Sequence, residues 1–310
     1  MSAQDKPVVL FGGGGFLGRQ VAQELLTRGY PVRIAQRDVR ATQAVRSLGN
    51  VGQTQFVAMD ITDEAQVAAA LAGAGAAVNL VGLLKGPMQA VHVGGAANIA
   101  KAAAAAGLDA LVHISAIGAD AESGVGYART KGVGEKAVLH AFPGATILRP
   151  SILFGREDHF INRFAALMRL SPVVPVIAPQ TKLQPVYVGD VADAVVAALG
   201  EAAAGRMFEL GGPQVLTMAA LQHWVAAATG RKRLFVELPD AVSGAIATAF
   251  GWAPGAPITK DQWLMLQQDN VVAEGAAGLG SFGIVPTSLD AVADGWLVQY
   301  RRHGRFAQTA

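Results

Sequence analysis

Cysteine is absent from the 310 residues, which excludes disulfides, thiolate metal sites and cysteine nucleophiles and fits a reducing compartment. Charge is sparse as well. Only 15% of residues are charged, and 25 lysines and arginines against 23 acidic residues leave a net charge of +2, too weak a field to argue for a nucleic-acid partner. Long hydrophobic runs are missing: the most apolar late stretch, residues 241–254, falls short of the roughly 20 residues that a spanning helix needs. Residues 1–7 carry Asp5 and Lys6 and run directly into a β-rich segment, so no signal-peptide core is expected. Cytoplasm is the expected location, with at most a peripheral hold on a membrane.

The chain is 52% hydrophobic, which rules out disorder, and it is long enough to bury a full core. Short β-rich runs at residues 8–11, 32–35, 55–58, 76–81, 110–114 and 146–148 alternate with alanine-rich helical runs. That alternation predicts an α/β fold, a Rossmann doubly wound parallel sheet with a smaller C-terminal mixed or helical lobe. Residues 171–185 hold Pro172, Pro175, Pro179 and Pro185, a density that no helix survives. A strand at 186–188, a helix at 190–199 and a strand at 207–210 are expected to return to the sheet. From residue 217 on, the pattern is helical, with a loop at 278–286. The expected division is therefore 1–155, with 184–212 returning, for an NAD(P)-binding domain, and 156–183 with 213–310 for a substrate or partner lobe.

The first β-rich run leads into Gly12-x-x-Gly15-x-x-Gly18 and then a helix. The first glycine permits the tight turn, the middle one lets backbone approach a pyrophosphate, and the third lets helix and strand pack closely. Gly14, Phe16 and Leu17 complete the loop and helix start, where free N–H groups and a partial positive charge face the phosphates. After the second strand the chain reads Ala35, Gln36, Arg37, with no acid for a ribose 2′-hydroxyl. Arg37 favours a 2′-phosphate and so NADP(H), while Asp38 keeps NAD(H) possible. Asp60, followed by Ile61, is expected to bond the adenine amino group, and Asn79, Leu80, Val81 and Gly82 to pass beside the adenine ribose. Pro150, Ser151 and Ile152, after the sixth strand, complete the expected cofactor contacts.

Tyr127 and Lys131 stand four apart on one helix, so both point to one face. In a reductase such a lysine lowers the phenol's pKa and binds the nicotinamide ribose, while the tyrosine passes a proton to the substrate oxygen. Ser115, ending the fifth strand, is the third candidate catalytic residue. Arg129 and Glu135 are expected to be solvated. His92, His113 and His140 lack metal-ligand spacing and are expected to be packed or exposed, so no metal is proposed. The cluster Arg156, Glu157, Asp158, His159 is either a partner contact or a salt-bridged loop.

The glycine loop, the Tyr127–Lys131 pair, Arg149-Pro150-Ser151 and QPVYVGDV at 184–191 together resemble an atypical or extended short-chain dehydrogenase/reductase. Within that superfamily, FGREDHFINRF at 154–164 and YARTKGVGEKA at 127–137 resemble the NAD(P)H-binding accessory subunit nine of respiratory complex I and its bacterial relatives. The resemblance implies non-covalently bound NADPH and a structural or assembly role among complex I subunits, beside the quinone-binding region and the membrane surface. That would place the protein on the cytoplasmic face of the inner membrane. Active members of the superfamily usually carry a second Ser or Thr where this chain has Ala116 after Ser115, a departure that bears on catalysis rather than on cofactor binding. Two other functions stay open: an active NAD(P)-dependent reductase or epimerase, and an NADPH-sensing regulator. Phe160, Phe164, Leu167 and Met168 recur at helical spacing and suit a core better than a quinone groove. Residues 254–260 and the basic Arg301, Arg302 and Arg305 either face a membrane surface or serve solubility.

Overall fold

Valine- and isoleucine-rich runs separated by alanine-rich segments fold as successive β–α units in the computed structural model, which describes residues 6–250, 258–302 and 304. In chain order these are β1 (Val8–Phe11), α1 (Phe16–Thr27), β2 (Val32–Gln36), α2 (Gln43–Arg46), β3 (Thr54–Ala58), α3 (Glu64–Leu71), β4 (Ala76–Asn79), α4 (Ala96–Ala105), β5 (Ala110–Ile114), α5 (Gly126–Ala141) and β6 (Thr146–Pro150). Next come β7 (Leu153–Phe154), α6 (Ile161–Leu170), β8 (Val173–Val176), β9 (Lys182–Leu183), β10 (Val186–Tyr187), α7 (Val188–Ala197) and β11 (Met207–Leu210). The chain continues through β12 (Leu216–Thr217), α8 (Met218–Ala228), β13 (Leu234–Glu237), α9 (Asp240–Phe250), α10 (Lys260–Met265), α11 (Leu289–Val292) and α12 (Asp294–Leu297).

Among the described residues, seven strands form one parallel sheet in the order β11-β6-β5-β4-β1-β2-β3. The chain winds outward from β1 to β3, then crosses to β4 on the other side of β1. The reversal opens a crevice at the carboxyl ends of β1 and β4, where ligands of such sheets bind. β1 is buried at every position, as a central strand covered on both faces must be. Helix α1 presents Leu17, Val21, Leu25 and Leu26 to the sheet, one apolar stripe at helical spacing. Ahead of α4 runs a π-helical turn, Gln89–Gly95, that the alanine pattern does not predict.

The contacts divide the chain into two compact units. The first comprises the chain up to Pro150, Val188–Leu210 and Glu274–Val285; the second comprises Ser151–Tyr187, Gly211–Ala273 and the chain from Pro286. These boundaries correct the expected ones. Residues 186–187 do not join the main sheet, because β11 occupies the edge of β6 with Met207 opposite Ile147 and Leu210 opposite Pro150. β10 pairs instead with β7, Val186 opposite Leu153. The loop expected at 278–286 packs mostly on the first unit: Glu209 N donates to the Ala277 carbonyl at 2.9 Å, and the Phe282 and Phe208 ring centroids lie 4.5 Å apart.

The second unit closes on its own core, which includes Phe154, Ile161, Met168, Val174, Leu221 and Trp296. Phe160, Phe164 and Leu167 pack half-buried against it, as core residues rather than a groove. A strand, β13, interrupts the expected helical run because it pairs in parallel with β8. Among the described residues no helix is long and apolar enough to cross a membrane. Residues 251–257, part of the apolar stretch at 241–254 and of the segment at 254–260, lie outside the described residues, as does Arg305.

Candidate functional site

The glycine loop begins where β1 ends. Gly12 turns at φ 81°, a left-handed conformation that favours glycine, and its N–H donates to the Ala35 carbonyl at 2.9 Å. Helix α1 starts at Phe16 with Gly15 as its N-cap and no side-chain capping bond, so the amides that begin it keep their capacity for an anion. A Cβ on Gly15 would find only the Gly12 carbonyl, at 3.3 Å, whereas one on Gly18 would lie 2.6 Å from that same oxygen. Gly15 therefore leaves little room for a side chain on the side of the Gly12 carbonyl, and Gly18 lets the helix press against its own loop. Gln36, the last residue of β2, accepts from Gly14 N at 2.8 Å and donates from Nε2 to the Asp38 carbonyl. Sequence reasoning looks for an acid at that position and passes over this amide, whose neutral side chain ties the loop to β2.

Arg37 is exposed at the rim. Asp60 accepts from the Thr62 backbone N–H and hydroxyl at 2.9 and 2.8 Å; these bonds, with a smaller contribution from Arg37, hold its carboxyl below the usual range. Ile61 is buried, and its carbonyl accepts from Asn98 Nδ2 at 3.1 Å. Leu80 N donates to the Phe11 carbonyl at 2.9 Å and Val81 N to Asn79 Oδ1 at 3.1 Å, so this segment runs beside the glycine loop at the crevice. A Cβ on Gly82 would stand 3.7 Å from Lys131 Nζ, which brings the end of β4 and helix α5 to one place. Pro150 ends β6 and accepts from Ile117 N at 3.1 Å. Ser151 and Ile152 belong to the second unit, where the Ser151 hydroxyl donates to Asn270 Oδ1 at 2.6 Å.

Lys131 is buried and donates from Nζ to the Ile114 carbonyl at 2.8 Å. Burial lowers its ammonium to about 8, an effect that the charge of Glu135 partly offsets. Tyr127, one turn earlier on α5, is held at about 12 by burial. The direction is opposite to the expected lowering by Lys131, and burial is its cause. Glu135 also departs from its expected solvated state. It is buried and accepts from Arg149 Nε and Nη2 at 2.9 and 2.6 Å, while Arg149 Nη1 lies 3.6 Å from Glu209 Oε1. Glu135 falls on the face of α5 that meets β6. Arg129 is exposed and donates to the Ser123 carbonyl at 3.0 Å.

A buried polar chain underlies this pair. Leu83 N donates to His92 Nε2 at 2.9 Å, which leaves the ring proton on Nδ1 for Thr130 Oγ1 at 2.9 Å; the Thr130 hydroxyl donates on to the Tyr127 carbonyl at 3.1 Å. The His92 and Tyr127 rings meet edge to face with centroids 5.7 Å apart. Burial and then the Lys131 charge lower His92 to about 4, so its imidazole is neutral at neutral pH. His113 meets Asn79 across 3.0 Å, and burial and the charges of Lys131 and His92 also lower it. His113 Nε2 and the Ser115 hydroxyl are buried without a partner. His140 is exposed, and no group of three or more potential metal ligands occurs among the described residues.

Asp158, expected within a charged contact or salt-bridged loop, is instead a buried cap. Its carboxylate accepts from the backbone N–H groups of Phe160 and Ile161 at 2.9 and 2.6 Å, satisfying the start of α6. Arg156, Glu157 and His159 are exposed. Arg301 is engaged too, donating to the Ala228 carbonyl at 3.1 Å and pairing with Asp294.

An uncapped helix start behind a glycine turn and an orphaned hydroxyl at the end of β5 fit a dinucleotide laid across the switch point of a Rossmann sheet. The chain belongs to the NAD dependent epimerase/dehydratase family, whose model matches residues 8–211, and a nicotinamide dinucleotide is the cofactor class. It is 34% identical to subunit 9 of the NADH dehydrogenase [ubiquinone] 1 alpha subcomplex of Rattus norvegicus over 91% of this chain and 77% of that protein. It is 28% identical to a ceramide reductase of Caulobacter vibrioides, over 81% and 80% of the two chains. The fold matches that of an NADPH-dependent quinone oxidoreductase from Escherichia coli complexed with NADPH, with a TM-score of 0.73 at 21% identity over 91% and 96% of the chains.

Proposed function

We propose that this chain is an NADPH-binding accessory or assembly protein of respiratory complex I, in which the dinucleotide is chiefly a structural part. The observation that carries this is the 34% identity to a complex I subunit, which spans 91% of the chain rather than the cofactor fold alone. The site residues agree with a binding role. The glycine loop and the α1 amides would hold the pyrophosphate, Arg37 a 2′-phosphate, and Lys131 the nicotinamide ribose; the bound group supplies a hydride where chemistry occurs. A Tyr127 phenol at about 12 is a poorer proton donor than an ordinary tyrosine. Ala116 supplies no second hydroxyl beside Ser115. The first unit would then be the cofactor domain and the second the partner lobe, peripheral on the cytoplasmic face of the inner membrane.

Ligand-linked stability tests the proposal, since a ligand that binds only the folded state at a hundredfold excess over Kd adds roughly 2.7 kcal/mol. NADPH should raise the melting temperature strongly, be oxidised little by quinones or sugar nucleotides, and accompany a protein that co-purifies with complex I. Gly15→Asp places a carboxylate where phosphate must lie and should abolish both the thermal shift and the association. Rapid turnover of a small substrate, or normal association by the Gly15→Asp protein, would overturn the proposal in favour of an active reductase. The unpartnered Ser115 hydroxyl favours that second function.

A further inference from the structure

Four arginines of the second unit gather around Tyr300. Arg231 donates from Nε and Nη2 to the Tyr300 carbonyl at 2.9 and 2.7 Å, and the Arg169 guanidinium stands 6.0 Å from the centroid of the Tyr300 ring. Arg233 donates from Nε to the carbonyl of Met168, the residue before Arg169, at 2.6 Å, and from Nη1 to the Lys232 carbonyl at 2.8 Å. Arg302 follows Tyr300 closely in the chain. After burial, the charges of Arg233, Arg169 and Arg302 lower Arg231, so each of the three lies within reach of its field.

Backbone capping does not account for this gathering. A carbonyl is satisfied by any single donor, neutral or charged, whereas like charges held together cost energy unless a counter-charge joins them. No counter-charge does. Among the described residues no carboxylate pairs with Arg169, Arg231, Arg233 or Arg302, and the acids nearby are committed elsewhere. Asp294 pairs with Arg301, and Asp158, whose charge reaches Tyr300, accepts from the amides that begin α6. The carbonyl bonds fix two of the guanidinium groups while leaving Nη1 of Arg231 and Nη2 of Arg233 without a protein acceptor among the described residues. Arg169, Arg302 and Lys232 are exposed, so the cluster is open to solutes, and donors already held in place cost little entropy to engage.

We propose that this cluster is a binding site for a compact anion with phosphoryl groups in a row, such as inorganic triphosphate or the triphosphate tail of a nucleotide. Guanidinium forks match phosphate oxygens two at a time, and a chain of phosphoryl groups carries several negative charges in a span that gathered arginines can share. An acidic peptide instead spreads single charges along its backbone at about 3.3 Å per residue and on alternate faces, which suits a long stripe better than a cluster built around one tyrosine. The inference rests on the geometry of the second unit and on neither the cofactor nor the complex I role.

The test is isothermal titration calorimetry of the full chain with sodium tripolyphosphate, ATP and orthophosphate. Tripolyphosphate and ATP are expected to bind alike, orthophosphate roughly tenfold more weakly, and all binding to weaken with salt. Arg169→Gln and Arg302→Gln should each weaken tripolyphosphate roughly tenfold. Both positions are exposed, so the variants should melt at the parent temperature. Binding should also survive Gly15→Asp, which keeps this test apart from that of the cofactor site. Failure to bind tripolyphosphate, or equal binding by the parent and both arginine variants, would overturn the proposal. So would loss of binding in Gly15→Asp, which would assign the anion to the glycine loop, or binding of ATP without tripolyphosphate. Preference for poly-glutamate or for phosphatidylglycerol vesicles over tripolyphosphate would overturn it as well, assigning the cluster to an acidic protein or a lipid surface.

Discussion

Lys131 donates from Nζ to the carbonyl of Ile114 across 2.8 Å, tying the middle of α5 to the end of β5 through a buried charge. Burial lowers the ammonium to about 8, so between pH 8 and the unfolded value of 10.5 the unfolded chain holds more protons. Stability therefore rises with pH across that window, and below it the buried charge costs about 3 kcal/mol.

Lys131→Met keeps the volume and removes the charge. It should flatten the alkaline limb of the apo-protein's stability curve and raise stability slightly at neutral pH, the gain being offset in part by an unpaired Ile114 carbonyl. NADPH affinity should fall, while Tyr127→Phe should leave it nearly intact. Melting curves against pH and a fluorescence titration check both, and an unchanged alkaline limb would contradict the assigned burial.

His92 sets the acid limb. Its folded value of about 4 lies below the ordinary 6.5, so the unfolded chain takes up protons first as pH falls. Stability present above pH 6.5 is lost on the way to pH 4, by about 3 kcal/mol from this residue, and the lowered His113 acts in the same direction. His92→Gln should make the acid limb shallower in thermal melts between pH 4 and 7.

The buried pair of Glu135 and Arg149 predicts an asymmetric mutational cost. Glu135→Ala leaves the partly buried guanidinium with Glu209 alone and should destabilise by about 2 kcal/mol, whereas Glu135→Leu with Arg149→Met, which removes both charges but leaves Glu209 without its ion-pair partner, should recover part of the loss. Denaturant titration of the single and double variants measures the difference. Equal losses would mean that the pair contributes packing rather than charge.

The proposed contact of Arg37 with a 2′-phosphate would make it the cofactor discriminator. Arg37→Ala should weaken NADPH about tenfold, roughly 1.4 kcal/mol, and NADH hardly at all. Equal losses in parallel titrations would sink the assignment to a 2′-phosphate.

Residues whose role is local are legible in the amino-acid sequence alone. Gly12 and Gly18 stand out because a tight turn and a helix pressed on its own loop leave no room for a side chain, and the spacing of Tyr127 and Lys131 follows from helical periodicity. Gln36 and His92 do not stand out, since their importance lies in bonds to Gly14 and to Leu83 and Thr130, partners that only the folded chain supplies. Glu135 is misleading for the same reason: a charged residue on a helix is solvated unless a neighbouring strand carries its counter-ion, and Arg149 does.

By itself the sequence determined the parallel sheet, the glycine turn ahead of α1 and the one-face placement of the Tyr127–Lys131 pair, because periodicity and glycine sterics act between residues close in the chain. Tertiary structure alone decided where 186–187 pair, which unit takes 274–285, and that Tyr127 is raised rather than lowered. Those outcomes depend on edge occupancy, long-range packing and desolvation, which arise only when distant segments close around one another.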